Sequence, residues 1–406
     1  MASSKWKDWD EFGDLVRARR VVFWGASHWV ERTRDRLGPI GRYIVDNNPF
    51  NHGIELHGLP VKPPRVLLEE KRDDLLIVIT TNNYASVIDE LHAMGFVMGD
   101  QFCCTPLLSQ RRRTDEFKAL QRTILMTSPE HAADAQRGGG LYALDTASGQ
   151  ARKLLSGKCR GLARAGENFL MIDMLRGIVV LDKNFREIGT VALGQNAEPH
   201  GICYDAARKR AFVSQPGRDS IAVYDIAAGK CETEMFLSDK WNRNKKDNHH
   251  LNDLVVAGDS LFVSLFSFSG NWMHECYDGG VLEIDLATGK PAGAVVVGLW
   301  MPHSVSRFDG RLTVLDSMRG ALVVMNHKTL TRFSAFARGL DYDGRYYYIG
   351  LSEHRHPQKL LGVSDNISLD TGVAVFDPDS AMTRFFPLRE AESVHSLICL
   401  EQAQAE

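Results

Sequence analysis

Residues 302–317 read PHSVSRFDGRLTVLDS, and residues 199–214 read PHGICYDAARKRAFVS. In both, a small motif opens a strand-length apolar run, a polar turn follows, and a second apolar run ends in serine. The same plan returns in CRGLARAGENFLMI (159–172), LNDLVVAGDSLFVS (251–264), ARGLDYDGRYYYIG (337–350) and, cut short, VHSLICL (394–400). A second signature alternates with these: an apolar run closing on an acid or amide before a turn, at Asp145, Asp182, Asp225, Asp285, Asn326 and Asp377. Period-2 runs broken by Gly, Asp and Asn are the signature of antiparallel strands. Six interleaved pairs predict six four-stranded blades, an all-β six-bladed β-propeller over residues 121–406. The phase adds a further expectation. The first acidic turn precedes any opening motif, and the last opening motif has no turn after it. The C-terminal strand HSLICL is therefore expected to complete the blade begun by TILMTS and GGLYALD, closing the ring without an open edge.

Residues 1–120 follow a different pattern. RVVFWG, RYIVDNN, DDLLIVITT and QFCC are short apolar strands separated by helical periods in HWVERTRDRL and YASVIDELHAMGF. Near-continuous apolar strands between helices predict a parallel sheet covered on both faces. PLLSQRRRTDEFKALQRT then reads as a charged linking helix. On VVFWGAS, YIVDNN and HGLPV, this part resembles the Rossmann-like domain of sugar acyltransferases and other polysaccharide-synthesis proteins. The resemblance implies an α/β Rossmann-like domain that holds a nucleotide through Gly25, Ser27 and Asp46, with backbone N–H groups on phosphate and the acid on ribose. The glycine fingerprint is incomplete, because Gly25-Ala26-Ser27-His28 carries one glycine where the motif has three. A docking or homodimerisation unit is the other reading. On HLNDLVV, MPHS, DGRLTVLDS and ARGLDYDGRYYYIG, the second part resembles an uncharacterised bacterial six-bladed β-propeller family, NHL-like in character. That resemblance implies the fold and no chemistry.

The totals bound the remaining classes. The chain has 406 residues, 44% hydrophobic and 24% charged, with a net charge of −3. It carries no long basic block for nucleic acid, no secretory core at its start, and no apolar run of about 18 residues for a membrane span. Seven scattered cysteines fit reduced thiols, and the expected location is the cytoplasm.

Aligning the six opening motifs places Arg160, His200, Asn252, His303, Arg338 and His395 at one equivalent position. Inner strands of a propeller line its channel, so these side chains form a ring at one mouth. His200, His303 and His395 fall on alternate blades, about 120° apart, and three imidazoles converging on the axis predict a divalent metal, zinc or iron first. Small residues after them (Gly201, Ser304, Ser396) would leave room around each ring. In NHL-type propellers a PHG motif also serves turns and packing, with no metal. Arg160 and Arg338 suit a carboxylate or phosphate, and Asn252 and His250 complete the expected substrate contacts. Candidate acids and bases are Glu353, His354 and Asp253. His249, His274, Glu275, Cys276, Tyr277 and His356 are weaker loop candidates. The expected function is a metal-dependent lyase, hydrolase or isomerase acting on a small anionic metabolite or sugar derivative in a bacterial glycan or secondary-metabolite pathway. The alternative is a non-catalytic anion-binding or scaffold protein.

Overall fold

The computed structural model describes residues 5–132, 134, 136–324, 328–354 and 366–400. The chain divides into two units, Met1–Ala119 and Leu120–Glu406. Of the residues singled out above, Asn326 and His356 lie outside the described ones. No helix among the described residues is long and apolar enough to cross a membrane.

The first unit is a small α/β part. Its elements in order are α1 (Trp9–Ala18), β1 (Arg20–Trp24), α2 (His28–Leu37), β2 (Ile44–Val45), β3 (Glu55–Leu56), β4 (Leu59–Lys62), β5 (Leu75–Ile79), α3 (Tyr84–Ala93), β6 (Phe102–Cys104) and α4 (Ser109–Lys118). Asp8 starts α1 by accepting the Asp10 and Glu11 N–H groups. The sheet order is β3-β4-β2-β1-β5-β6. Every pair from β4 to β6 is parallel, and only the β3–β4 hairpin is antiparallel. Successive strand residues feed opposite cores. Val22, Trp24, Val45, Ile77 and Ile79 face one side; Val21, Phe23, Ile44, Leu76 and Val78 face the other. Burial on both faces is why these strands read as unbroken apolar runs. Cys103 and Cys104 end β6 fully buried, and burial pushes both thiols up to about 12, so neither is a nucleophile.

The second unit is a six-bladed β-propeller made of four-stranded sheets. Blades 1 to 6 have inner strands Cys159–Ala165, Ile202–Asp205, Leu251–Ala257, Pro302–Phe308, Phe336–Tyr342 and Ser396–Leu400. In blade 6 that last strand pairs with Thr123–Ala132, followed by Gly138–Asp145 and Gln150–Ser156, and Leu397 stands opposite Met126. The repeated acids shape the outermost hairpins. Asp145 accepts from Ala147 N at 3.0 Å, Asp225 from Ala228 N at 2.9 Å, Asp285 from Thr288 N at 2.8 Å and Asp377 from Asp379 N at 3.0 Å. Each folds the chain back by satisfying turn amides from its own side chain.

Two devices hold the inner strands together around the channel. One is a β-bulge. Arg160-Gly161, Asn252-Asp253 and Arg338-Gly339 each oppose one residue of the second strand, the first falling between the paired positions Cys159 and Leu162. The other is a hydroxyl on the second strand. Ser214 Oγ accepts the Gly201 N–H at 2.8 Å and donates to the Asn252 carbonyl of the next blade. Thr127 Oγ1 repeats this in blade 6, accepting from Ser396 N at 3.2 Å and donating to the Arg160 carbonyl of blade 1. Neighbouring backbones come so close that a Cβ on Gly201 would sit 2.5 Å from the Asn252 oxygen. The small residues after the ring positions thus serve strand approach; they do not leave space around the imidazoles.

Ser214→Ala should lower unfolding stability by about 1–3 kcal/mol, because it strands a buried carbonyl and a buried N–H. Denaturant titration checks this against Ser148→Ala on an exposed turn, where less than about 0.5 kcal/mol is expected.

Candidate functional site

One end of the propeller channel opens into a cavity of about 290 Å³. Of the ring residues, Arg160, His200, Arg338 and His395 line it, joined by His250 and Glu353. The rest of the lining is Pro129, Phe266, Trp272, Met301, Phe336 and Ser352. The ring position puts these polar side chains at the mouth because bulge or strand-start geometry releases them from the blade-to-blade layer. Arg160 also donates to the Pro199 carbonyl at 3.0 Å, and the Arg338 guanidinium lies 4.8 Å from the Phe336 ring.

His250 is held by more contacts than any sequence signal suggested. Asp219, fully buried in the blade 2 hairpin, accepts the Asn248 N–H at 3.0 Å and the His249 N–H at 2.9 Å, pinning the loop. His249 has both ring nitrogens engaged, one with Ser267 O at 2.9 Å and one with Ser238 Oγ at 2.8 Å, so it is structural. Asp247 bonds His250 twice: one carboxylate oxygen accepts the His250 N–H at 2.9 Å and the other meets Nδ1 in a short hydrogen bond. Trp272 donates its indole N–H to the Asp247 carbonyl at 3.1 Å. The His250 ring packs 4.3 Å from Phe266, 4.4 Å from Trp272 and 4.9 Å from His200. With Nδ1 fixed by a carboxylate, Nε2 is the atom left for the cavity. Asp247 was missed in the sequence, although an acid three residues before a histidine in DNHH is a readable signal.

The three alternate-blade histidines part company. His200 and His395 lie together, their rings parallel within 3° and 5.8 Å apart. Burial, with the charge of nearby Arg160, holds His200 well below the ordinary imidazole value, so it is neutral. His303 lies behind the cavity lining, and the bulge in blade 4 falls after it, on Ser304-Val305. That gives His303 the ladder place that Cys159, Leu251 and Ala337 occupy in blades 1, 3 and 5, all buried between blades. Its ring lies between Phe266 at 5.3 Å and Phe336 at 5.5 Å, and it is not among the residues lining the cavity. Nδ1 faces the Met301 carbonyl at 2.8 Å and Ser317 Oγ at 2.9 Å; the carbonyl requires the proton on Nδ1. Burial, then the charge of Arg338, lowers the His303 pKa, leaving it neutral. Among the described residues no group of three His, Cys, Asp or Glu side chains has metal-holding geometry. The expected three-histidine set is not assembled among the described residues.

The other predicted residues separate in the same way. Asn252 is fully buried and bridges blades, donating to the His250 carbonyl at 3.1 Å and the Pro302 carbonyl at 3.3 Å; it does not line the cavity. Asp253 lines a second channel cavity of about 280 Å³, where Ser304 N–H donates to it at 2.5 Å, so it is not placed as an acid or base for the first. Glu353 lines the first cavity, whereas His354 is buried with its ring 5.6 Å from Phe336 and is not part of the lining. In the first unit, both Asp46 oxygens accept backbone N–H groups, from Ala26 at 2.6 Å and Asn48 at 2.8 Å. Ser27 caps α2 and donates to the Thr80 carbonyl at 2.5 Å, and a Cβ on Gly25 (φ 110°) would lie 2.9 Å from the Thr81 side chain and 3.2 Å from the Thr80 backbone. These residues tie the β1–α2 loop to the end of β2 and to the end of β5.

Residues 236–390 match DUF4915, a domain of unknown function. No curated protein matches. Among solved structures, the chain is similar to one from a nidogen/laminin complex at 12% identity, covering 69% of this chain and 98% of that one, with a TM-score of 0.50. A protein of unknown function from Bacteroides caccae is 13% identical over 69% of this chain and all of its own (100%), with a TM-score of 0.49. At 12% identity the first likeness bears on the fold alone. The family match and the fold together support the resemblance to an uncharacterised six-bladed propeller.

Burial pushes the Asp253 carboxyl up to about 6, against the opposing pull of Ser304 N–H and Arg338. The folded value lies above the unfolded one of about 3.9, so the folded state holds this proton more tightly. Its contribution to stability is full below about pH 4 and is lost as pH rises through about 6. Asp253→Asn keeps an oxygen for Ser304 and cannot ionise. It should match wild type near pH 4 and exceed it near pH 7.5 by at most ~3 kcal/mol, as read from denaturation midpoints across pH.

Proposed function

We propose that the propeller unit is an enzyme that transfers a proton on a small anionic metabolite bound in the channel-mouth cavity, in a lyase, hydrolase or isomerase reaction. The observation that carries this reading is the Asp247–His250 pair at a cavity that also holds Arg160 and Arg338. A carboxylate on Nδ1 fixes the tautomer and steadies the imidazolium, leaving Nε2 to take or give the proton. Guanidinium forks match carboxylate and phosphate oxygens. Glu353 is the one carboxylate among the described lining residues and serves as the second proton carrier. His250 thus joins Glu353 in the role that the sequence offered to Glu353, His354 and Asp253. A non-catalytic anion-binding or scaffold protein with the same lining is the rival reading.

We read the β4-β2-β1-β5-β6 order of the first unit as Rossmann-like. With Asp46 committed to its own loop, docking or homodimerisation suits that unit better than nucleotide binding. We take the pairing of Ser396–Leu400 with Thr123–Ala132 as closure of the propeller ring. The free cysteines fit a reducing cytoplasm.

The test compares wild type, His250→Gln, Asp247→Asn and Arg160→Ala against a panel of small carboxylates and phosphates. His250→Gln should lower kcat by about 10²–10⁴ with KM nearly unchanged, Asp247→Asn should fall between it and wild type, and Arg160→Ala should raise KM. Anion binding without turnover by wild type would establish the rival reading. Elemental analysis of tag-free protein tests the metal expectation directly. About one zinc or iron per chain, lost in His303→Ala, would return the site to a three-histidine centre and remove His250 from its role.

A further inference from the structure

Building on that reading of the cavity, we infer that its substrate is an anion carried on a flat apolar body, an aromatic or otherwise unsaturated carboxylate or phosphate, and not a sugar derivative. The lining is uneven: its large apolar side chains gather on blades 3 to 5, where Ser352 and Glu353 also reach the cavity. Blades 6, 1 and 2 contribute His395, Arg160 and His200. The opposite sectors contribute Phe266, Trp272, Met301 and Phe336, of which Phe266, Met301 and Phe336 belong to one apolar cluster with Trp272 packed against it. Arg338 stands at the edge of this wall beside Phe336, and His250 lies at the other edge between Phe266 and His200.

A ligand that satisfies both halves has its charge at one end and carbon at the other. A sugar presents hydroxyls around its whole ring, and each needs a partner once buried. The apolar half offers none from these four side chains, because the indole N–H of Trp272 is spent on the Asp247 carbonyl at 3.1 Å. Phe266 and Trp272 meet edge to face, with centroids 5.9 Å apart, so they present both an edge and a face to an incoming ring. The cavity volume of about 290 Å³ corresponds to roughly ten water-sized groups, enough for one ring and its anionic group. His250 sits where the two halves meet, which places its Nε2 beside the atoms that join the anionic group to the ring.

Calorimetry on the full chain tests this with matched probes: phenylacetate against glucuronate, phenyl phosphate against glucose 6-phosphate, and inorganic phosphate alone. The aryl anion of each pair should bind at least about tenfold tighter than its sugar partner, and inorganic phosphate more weakly than phenyl phosphate. Trp272→Ala and Phe336→Leu, both checked for an unchanged melting transition, should each reduce the aryl preference while phosphate binding persists. If the sugar anions bind as tightly as the aryl anions and lose affinity in Arg160→Ala, the apolar-body inference is wrong while the anion cavity stands. If no probe binds wild type, or Arg160→Ala changes nothing, the cavity reading itself fails and this inference goes with it.

Discussion

Neighbouring inner strands of the propeller touch backbone to backbone, and the geometry of the channel mouth follows from that contact. A Cβ on Gly161 would lie 2.8 Å from the His200 carbonyl, and one on Gly201 2.5 Å from that of Asn252. Such approach is open only to residues with little or no side chain. Where the strands touch, Gly161 N–H donates to the His200 carbonyl at 2.9 Å, and buried hydroxyls hold the carbonyls of Arg160 and Asn252. The residue before each small one is therefore anchored at its backbone on both sides. Its side chain is positioned by the ring of blades as a whole, and sites on such rigid elements hold their geometry better than sites on loops.

This explains what the sequence could and could not disclose. Six blades were legible because a four-stranded repeat leaves two readable marks per turn of the chain, the acid that folds the outer hairpin and the small motif that opens the inner strand. Arg160, His200, Arg338 and His395 were legible for the same reason, since motif equivalence carries over into spatial equivalence. His303 breaks the rule through a displacement of one residue. It precedes a small residue exactly as His200 does in sequence, yet its bulge begins one place later, and a one-residue slip sends a strand side chain to the other face. Bulge position depends on which backbone groups pair across the hairpin, and no residue type in PHSVSRF announces it. Asp247 lay in plain view but outside the repeat, so an argument built on equivalence passed over it.

Asp46 shows the same limit in the first unit. An acid at the end of the second parallel strand suggests a ribose ligand when the loop after β1 is rich in glycine. Here that loop has Ala26 and Ser27 where glycine would let a pyrophosphate approach, and the Ala26 N–H turns to Asp46 at 2.6 Å. A carboxylate within the chain thus engages a backbone N–H of the loop before α2. The apolar strands dictate the sheet whatever that loop engages, so their pattern carries no information about a ligand there.

A ring of six related sectors is by construction nearly symmetric, whereas the polar groups at its mouth are not. Arg160 and Arg338 remain cationic at any physiological pH, and they help to keep His200 and His303 neutral, in burial that already disfavours the imidazolium. Positive charge at the mouth thus resides on two guanidiniums, and the buried imidazoles act as neutral hydrogen-bonding groups. His250 differs from them in having a carboxylate directly on Nδ1, which fixes the ring's orientation from outside the blade repeat. For both rings burial is the larger cause and the guanidinium charge the smaller, so the enclosed channel itself keeps them neutral.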